Sequence, residues 1–347
     1  GTNGKSTTSA LLEHILRMAG RQVQLGANFG TPSLALKPME EEGVYVLEMS
    51  SYQLDLTEKA CFNASILLNI TPDHIDRHGS MENYVAAKQR IFDRQAEGGL
   101  AAIGLDDGYC RDIYITLVRE RHHVMLPFAT TKTMHEGISV DENGILHDRY
   151  DQADPHQFDL HDAAGLKGRH NWQNIAASYG VCRHLGVAPQ EIMDAVYAFP
   201  GLPHRLERVG EAQGVVFYND SKATNAEATS KALEPFETIY WIIGGRAKEG
   251  GIDALEPYFP RIAHAFLMGE AEDAFAQTLE GKVPYTRCGT LEVATQKAAQ
   301  QAFQDKQPEA VVLLSPACAS FDQWRSFEER GDAFRRYVSA IAGRGAA

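Results

Sequence analysis

The first residues of the chain have the spacing of a phosphate-binding loop. The sequence GTNGKST at residues 1–7 matches the second half of the pattern G-x-x-x-x-G-K-[ST]. In such a loop, backbone N–H groups around Asn3 and Gly4 cradle phosphate oxygens. Lys5 reaches the terminal phosphates and the Ser6 hydroxyl binds Mg²⁺. The residues that follow have helical spacing, as the motif requires. The alternative interpretation is a turn that caps an ordinary helix.

Carboxylate and imidazole side chains follow two predicted strands in the same half of the chain. Glu48 ends an apolar run at residues 44–48, and His74 closely follows another run at residues 65–68. Open α/β sheets bind ligands at the carboxyl ends of their strands, so we predict both side chains at one rim, where a carboxylate can ligate Mg²⁺. A lone histidine after a strand is more often structural, but the neighbouring Glu48 and the phosphate-binding loop favour a functional role.

Lys88 is a further candidate for a functional side chain. It lies next to small alanines in a predicted helix at residues 84–92. From its spacing alone, we interpret Lys88 as a solvated residue on the helix surface.

The pattern along the chain predicts an α/β protein, because short apolar or β-branched runs alternate with helical patterns. We predict a domain with a phosphate-binding loop and a mostly parallel sheet at residues 1–200, then a smaller doubly wound, Rossmann-like domain at residues 201–347. Two prolines and a glycine at residues 199–204 mark the boundary, because they cannot continue the preceding helix. Residues 128–165 predict short antiparallel strands or an inserted loop.

The remaining elements are predicted from runs and periodicity. Predicted strands are at residues 44–47, 65–68, 100–103, 215–218, 239–243, 265–268 and 311–314. Predicted helices are at residues 7–18, 84–92, 174–185, 227–233, 291–303 and 325–341.

Composition narrows the classes of function. The formal net charge of −13 argues against a nucleic-acid partner, because binding to a phosphate backbone depends on clustered lysines and arginines. The five cysteines lie far apart without a C-x-x-C pair, which indicates reduced thiols rather than a zinc site or disulfides. No run of about eighteen apolar residues is present, and we expect no signal peptide ahead of a phosphate-binding loop. We therefore expect a cytoplasmic monomer without a membrane partner.

Five motifs in the first half of the chain together resemble the Mur ligase family of peptidoglycan synthesis. They are GTNGKST at 1–7, LEMSSYQ at 47–53, TPDHIDR at 71–77, AAKQRI at 86–91 and GRHNWQN at 168–174. Three motifs in the second half resemble the members that add D-glutamate: GLPHR at 201–205, YNDSKATN at 218–225 and SPACASFDQ at 315–323. The resemblance runs in order along the whole chain, and it implies an ATP-binding central domain followed by a C-terminal domain of this family.

The resemblance implies an ATP-dependent ligase that joins D-glutamate to UDP-N-acetylmuramoyl-L-alanine. The substrate carboxylate is phosphorylated, and the amine of D-glutamate attacks the acyl phosphate. Such phosphoryl transfer depends on positioning and charge neutralisation, which Mg²⁺, with two sites implied, would supply. The resemblance also implies that Lys88 is carbamylated, because a carbamate can ligate Mg²⁺ whereas an ammonium repels it. This reverses the interpretation from spacing alone.

Roles for the other motif residues are implied in the same way. The implied catalytic residues are Lys5, Glu48, His74 and Lys88. The implied metal ligands are Ser6, Glu48, His74 and Lys88. The implied nucleotide-binding residues are Gly1, Thr2, Asn3, Gly4, Lys5, Ser6, Thr7, Asn171, Asn174, Arg205 and Asp220. The implied substrate-binding residues are Asn28, Ser50, His74, Lys222, Thr224, Lys248, Ser320 and Phe327. Cations and hydroxyls suit a dicarboxylate such as D-glutamate. Without the resemblance, Lys248 is equally well interpreted as a solvated residue of a glycine-rich loop.

Two alternatives stay open at this point. A folylpolyglutamate synthase-like ligase shares the phosphate-binding loop and the general layout, and a non-catalytic nucleotide-binding fragment would share the loop alone. Family members also carry an N-terminal domain that binds the uridine nucleotide, and this sequence has no counterpart of it. We therefore expect the chain by itself to expose two strand edges, to bind ATP poorly and to make no product.

Overall fold

The structure is a computed structural model that describes residues 1–247 and 250–344. The chain divides into two compact units, Gly1–Phe199 and Pro200–Ala347. Each unit is built from parallel-rich sheets and helices, so the predicted α/β class is confirmed. Within the described residues, no helix combines the length and apolar character needed to cross a membrane.

The elements of the first unit alternate between strands and helices. Its helices are α1 Lys5–Met18, α2 Ser51–Leu56, α3 Ile75–His78, α4 Met81–Asp93, α5 Gly108–Glu120, α6 Arg169–His184 and α7 Pro189–Ala198. Its strands are β1 Val23–Ala27, β2 Val44–Glu48, β3 Phe62–Leu67, β4 Gln95–Gly104, β5 Val124–Ala129, β6 Gly137–Val140, β7 Ile145–Arg149 and β8 His156–Asp159.

Two sheets form in the first unit. Strands β3 to β8 pair in chain order, with parallel pairing from β3 to β6 and antiparallel pairing from β6 to β8. Of the two alternatives for residues 128–165, the short antiparallel strands are therefore confirmed. Strands β1 and β2 form a separate parallel pair. Strands β2 and β3 both line a cavity of about 780 Å³.

The second unit contains one six-stranded sheet. Its helices are α8 Ala226–Leu233, α9 Glu272–Leu279, α10 Leu291–Asp305 and α11 Phe327–Arg344. Its strands are β9 Glu207–Ala212, β10 Val215–Asn219, β11 Ile239–Gly244, β12 Ile262–Met268, β13 Tyr285–Gly289 and β14 Val311–Leu314. The order is β13-β12-β11-β14-β10-β9, and only the β9–β10 pair is antiparallel.

The central strand β11 shows why this sheet is doubly wound. All six of its residues are buried, as expected for a parallel strand covered on both faces. Successive side chains of a strand point to opposite faces, so Trp241 and Ile243 join one core while Tyr240 and Ile242 join the other. Helices α8 and α9 contribute to the first core, and α10 and α11 contribute to the second.

Candidate active site

The predicted phosphate-binding loop ends at the N-terminus of the 14-residue helix α1. Gly4 is the N-cap, with a φ of 84°, and a Cβ at this position would lie 2.2 Å from Asn174 Oδ1. Only glycine fits both this backbone conformation and this close approach. The helix N-terminus directs unpaired backbone N–H groups and a positive dipole end toward the loop. This arrangement can bind a phosphate.

A substitution at Gly4 tests this geometry. We expect Gly4→Ala to weaken nucleotide binding by about tenfold or more, because the left-handed backbone alone costs roughly 1–2 kcal/mol with a side chain and the new Cβ would displace the loop from Asn174. Titration with a fluorescent ATP analogue measures the dissociation constant. Gly20→Ala is the matched control, since Gly20 has a φ of 77° but no atom within 4 Å of its Cβ position. An equal loss of affinity in both variants would contradict the close-approach argument.

The loop is tied to the segment that follows β3. The backbone N–H of Thr2 donates to the Asn69 carbonyl at 2.8 Å, and that of Asn3 donates to Asn69 Oδ1 at 2.9 Å. The Thr2 hydroxyl donates to the Thr71 carbonyl at 3.1 Å. Lys5 Nζ donates to the Thr2 carbonyl at 2.9 Å, so the lysine folds over its own loop. These bonds fix the loop beside the strand end that carries the TPDHIDR motif.

Glu48 and Asn28 lie together at the carboxyl ends of β2 and β1. Asn28 Nδ2 donates to Glu48 Oε1 at 2.7 Å. Glu48 is 4% exposed, and its Oε2 atom is buried without a hydrogen-bond partner among the described residues. A buried carboxylate oxygen without a partner is costly and calls for a missing donor or cation. Glu48 can therefore ligate a metal ion, and Asn28 orients it.

Lys88 is buried, contrary to the interpretation from spacing alone. It is 4% exposed, its Nζ donates to the Gly1 carbonyl at 3.1 Å, and it lies 4.5 Å from the ring centroid of Tyr84. Burial, and next the charge of Lys5, lowers the pKa of Lys88 to about 8. Lys5, Glu48 and Lys88 all line the 780 Å³ cavity. The structure thus brings together three of the four residues predicted to be catalytic.

His74 has a more open environment. Its backbone has a φ of 52°, its Nε2 lies 3.4 Å from Asp73 Oδ2, and its ring packs 5.1 Å from that of Tyr52. The side chain is 47% exposed and is not among the residues that line the cavity. Within the part of the chain that the structure describes, no three His, Cys, Asp or Glu side chains form a metal-binding group. The predicted ligand set mixes these types with Ser6 and Lys88 and stays a prediction.

The asparagines of the GRHNWQN motif lie on α6 and contact the start of α1. Asn174 Oδ1 accepts a hydrogen bond from the Thr8 hydroxyl at 3.2 Å, and Asn174 Nδ2 donates to Asn171 Oδ1 at 2.9 Å. Both asparagines are buried.

Ser50, predicted to bind substrate, has a local role, because it caps α2 in a capping box with Gln53.

Sequence reasoning did not assign a role to the polar network behind the loop. Asn69 Nδ2 donates to Gln173 Oε1 at 2.7 Å, and Gln173 Nε2 donates to Asp106 Oδ2 at 3.0 Å. Asp106 also accepts hydrogen bonds from the backbone and hydroxyl groups of Thr130 and Thr131. The signal for Asn69 was its position directly after a predicted strand, where polar residues face a ligand site.

In the second unit, Asp220 follows β10 and is 8% exposed. Its Oδ1 accepts a hydrogen bond from the Leu206 backbone N–H at 3.1 Å, and its Oδ2 accepts one from the Ser315 hydroxyl at 2.8 Å. Burial raises the pKa of Asp220 to about 7. Arg205, the other predicted nucleotide residue of this unit, is exposed.

Five of the predicted substrate-binding residues are assigned to D-glutamate: Lys222, Thr224, Lys248, Ser320 and Phe327. Lys222 Nζ is 4.1 Å from the ring centroid of Phe327, which is within the range of a cation–π contact. Ser320 is 2% exposed and lies on the segment after β14, while Thr224 is half-buried after β10. The fifth residue of this group, Lys248, lies outside the described residues.

The comparisons with known proteins agree with the fold. Residues 1–182 match the Mur ligase middle domain, and residues 204–318 match the Mur ligase glutamate ligase domain. The chain therefore belongs to the Mur ligase family, a class of ATP-dependent ligases that form amide bonds.

Particular relatives make the comparison more specific. The chain is 51% identical over 347 residues to the UDP-N-acetylmuramoylalanine--D-glutamate ligase of Paramagnetospirillum magneticum, and the match covers 100% of this chain and 75% of that protein. The same fold is found in MurF from Acinetobacter baumannii, with a TM-score of 0.69 at 17% identity over 98% of this chain and 75% of that one. It is also found in a MurF ligase from Thermotoga maritima in complex with ADP, with a TM-score of 0.64 at 20% identity over 99% of this chain and 79% of that one.

Proposed function

We propose that this protein joins D-glutamate to UDP-N-acetylmuramoyl-L-alanine at the expense of ATP, in the synthesis of peptidoglycan precursors. The proposal draws on the name of the relative at 51% identity and on the motifs that it shares with the D-glutamate-adding members. The observation that carries the chemistry is the buried carboxylate of Glu48, whose Oε2 atom has no hydrogen-bond partner among the described residues and whose strand lies beside the loop that carries Lys5. We also propose that it works as a cytoplasmic monomer.

The residues present fit Mg·ATP. The Gly4 backbone and the start of α1 provide a phosphate cradle, and a Cβ at Gly4 would clash with Asn174 and so displace this backbone. When bound, Mg·ATP supplies the phosphoryl group that activates the substrate carboxylate. Lys5 neutralises phosphate charge, Ser6 provides a hydroxyl ligand, and Thr2, Asn3 and Thr7 complete the loop. Asn171, Asn174, Arg205 and Asp220 are the further nucleotide-binding residues that we propose.

The buried oxygen of Glu48 supports a role in holding Mg²⁺. Glu48 Oε2 has no hydrogen-bond partner among the described residues, so a cation would satisfy it. Carboxylate oxygens are ligands that Mg²⁺ prefers. We propose that Ser6, Glu48, His74 and a carbamate on Lys88 provide ligands to two Mg²⁺ ions.

The environment of Lys88 favours carbamate formation. With a pKa near 8, Lys88 has a neutral fraction at neutral pH roughly two hundred times or more that of an ordinary lysine. The neutral Nζ amine attacks CO₂, an N–C bond forms, and the nitrogen loses one proton to solvent. The product carries a negative charge in place of a positive one, beside the cavity that Lys5 and Glu48 also line.

The second unit supplies the proposed D-glutamate contacts. Lys222 carries a cation beside the Phe327 ring, and Thr224 and Ser320 carry hydroxyl groups on the segments that follow β10 and β14. Cations and hydroxyls are the donors that two carboxylates require. Lys248 is proposed from the sequence motif alone. Asn28, Ser50 and His74 are the proposed contacts to the muramoyl substrate.

Phosphate release that depends on both substrates tests the proposed function. We expect the natural protein to release phosphate from ATP only when UDP-N-acetylmuramoyl-L-alanine and D-glutamate are both present, with L-glutamate as the matched control. Mass spectrometry of the product checks that one glutamate has been added. Addition of glutamate to a folate instead would contradict the proposed substrate, and ATP binding without turnover under every condition would contradict catalysis.

A further inference from the structure

Arg330 is a buried cation on α11, one helical turn after Phe327. It is 1% exposed. Its Nε donates to Ser221 Oγ at 2.9 Å, and its Nη2 donates to the Ser221 carbonyl at 2.8 Å and to the Cys318 carbonyl at 3.0 Å. Ser221 follows β10, and Cys318 follows β14. One guanidinium therefore holds the segments that leave two neighbouring parallel strands.

A third segment also packs against this guanidinium. Gly245 follows β11, with a φ of 129°, and a Cβ there would lie 3.2 Å from Arg330 Nη1 and 2.5 Å from the Ala319 carbonyl oxygen. The Nη1 atom is buried without a hydrogen-bond partner among the described residues. Strands β11, β14 and β10 are adjacent in the sheet, so Arg330 lies beneath the carboxyl ends of three neighbouring strands.

Within the described residues, this cation donates hydrogen bonds to the carbonyl oxygens of Ser221 and Cys318 and to the Ser221 hydroxyl. Burial lowers the pKa of Arg330 to about 10, so the side chain stays charged at neutral pH. Asp322 and Asp220 oppose this lowering of the pKa but do not outweigh the effect of burial. A buried charge is costly to folding, and apolar replacements of such groups are often as stable or more stable. Core packing therefore does not explain the presence of an arginine at this position. The need to hold the segments after β10, β11 and β14 together does explain it.

The three segments carry the proposed D-glutamate contacts. Lys222 directly follows Ser221, and Ser320 lies two residues after Cys318. The Ser221 hydroxyl donates to the Phe327 carbonyl at 2.8 Å, so the N-terminus of α11 belongs to the same network. Sheets of this kind bind ligands at the carboxyl ends of strands where the strand order reverses, which here is at β11 and β14.

We propose that Arg330 is a positioning residue for the D-glutamate site. Through its hydrogen bonds to Ser221 and to the Cys318 carbonyl, Arg330 holds Lys222, Ser320 and Phe327 in place. The inference rests on the proposed function and goes beyond it, because the guanidinium does not itself touch the substrate. The planar fork of arginine reaches both segments at once, which the single ammonium of a lysine cannot do.

The test compares Arg330→Lys with Phe334→Leu. Phe334 lies one turn further along α11, is fully buried and belongs to the apolar core, so its variant reports a loss of packing alone. We expect Arg330→Lys to raise the KM for D-glutamate about tenfold while kcat and the KM for ATP stay within about twofold. We expect Phe334→Leu to lower Tm without changing the KM for D-glutamate.

Ser221→Ala supplies a second, milder variant that keeps the arginine. It removes the hydroxyl that links Arg330 to the Phe327 carbonyl, and we expect the KM for D-glutamate to rise about threefold. Because both residues act through one network, the double variant should show less than the product of the two single effects. This cycle decides the proposal even where Arg330→Lys lowers Tm.

The outcomes separate this proposal from the proposed function. If the wild-type protein shows no turnover that depends on D-glutamate, both proposals are overturned. An active wild-type protein overturns this proposal alone in either of two cases: Arg330→Lys leaves the KM for D-glutamate unchanged, or it behaves like Phe334→Leu. Independent effects of Arg330→Lys and Ser221→Ala also overturn it.

Discussion

Replacement of Lys88 by alanine should lower ligation by the natural protein on the order of a thousandfold. The residue is 4% exposed and lines the same cavity as Lys5 and Glu48, so its side chain lies inside the protein on the side of the proposed site rather than in solvent. Without the proposed carbamate, the proposed Mg²⁺ site would lose one negatively charged ligand, and a more weakly held Mg²⁺ would neutralise the phosphate and carboxylate charges less well. Initial rates of phosphate release measure the effect.

Small carboxylates provide the diagnostic control for Lys88. Alanine leaves space that formate or acetate can enter, and either anion can take the place of the missing carbamate as a metal ligand, so part of the activity should return in Lys88→Ala. The same additives should not help Lys59→Ala, which changes an exposed lysine and should retain full activity. Activity of Lys88→Ala without any additive would contradict the carbamate hypothesis. Intact-mass measurement in the presence of CO₂ checks the modification directly.

The positions of several elements followed from local sequence patterns. Strand β11 was predicted at residues 239–243 and is found at Ile239–Gly244, because a continuous apolar run of that length is typical of a buried parallel strand. The helix after the phosphate-binding loop was predicted at residues 7–18 and begins at Lys5, since the loop itself provides the first turn. In both cases the residues that define the element are close to one another in the sequence.

Shorter and more polar elements were missed. Strand β1, Val23–Ala27, is only five residues long and contains a glycine, and only four residues separate it from the end of α1, so its pattern resembles a turn. Strand β13, Tyr285–Gly289, contains an arginine and has no fully buried residue, because it lies at the edge of the sheet. Edge strands have only one neighbouring strand, so tertiary pairing rather than their own pattern defines them.

Burial of charged side chains was the least predictable feature. Lys88 was interpreted as solvated from its spacing, but the structure buries it against Gly1, which is 87 residues away in sequence. The burial of Arg330, by contrast, could have been predicted from the sequence. Phe327, Arg330, Phe334 and Val338 follow one another at spacings of three and four along α11, which places the arginine on the apolar face of the helix.

The second large effect is expected at Lys5, whose loss should abolish the use of Mg·ATP. Lys5→Met keeps the aliphatic stem and removes only the charge, so the packing of α1 should be preserved. We expect nucleotide affinity to fall at least about tenfold and turnover on the order of a thousandfold, because the ammonium neutralises phosphate charge as it redistributes during transfer. Binding of a fluorescent ATP analogue and initial rates measure the two quantities separately.

Comparison with a lysine elsewhere in the same unit makes the result specific to the loop. Lys37→Met changes an exposed lysine that is not among the proposed site residues, and it should leave affinity and turnover unchanged. Tm and circular dichroism of Lys5→Met should match the wild type, since the Lys5 ammonium bonds to the Thr2 carbonyl within its own loop and that hydrogen bond contributes only about 1 kcal/mol. If Lys5→Met binds and turns over ATP like Lys37→Met, residues 1–7 do not form a catalytic phosphate-binding loop. The cavity would then need another source of positive charge to hold the phosphates.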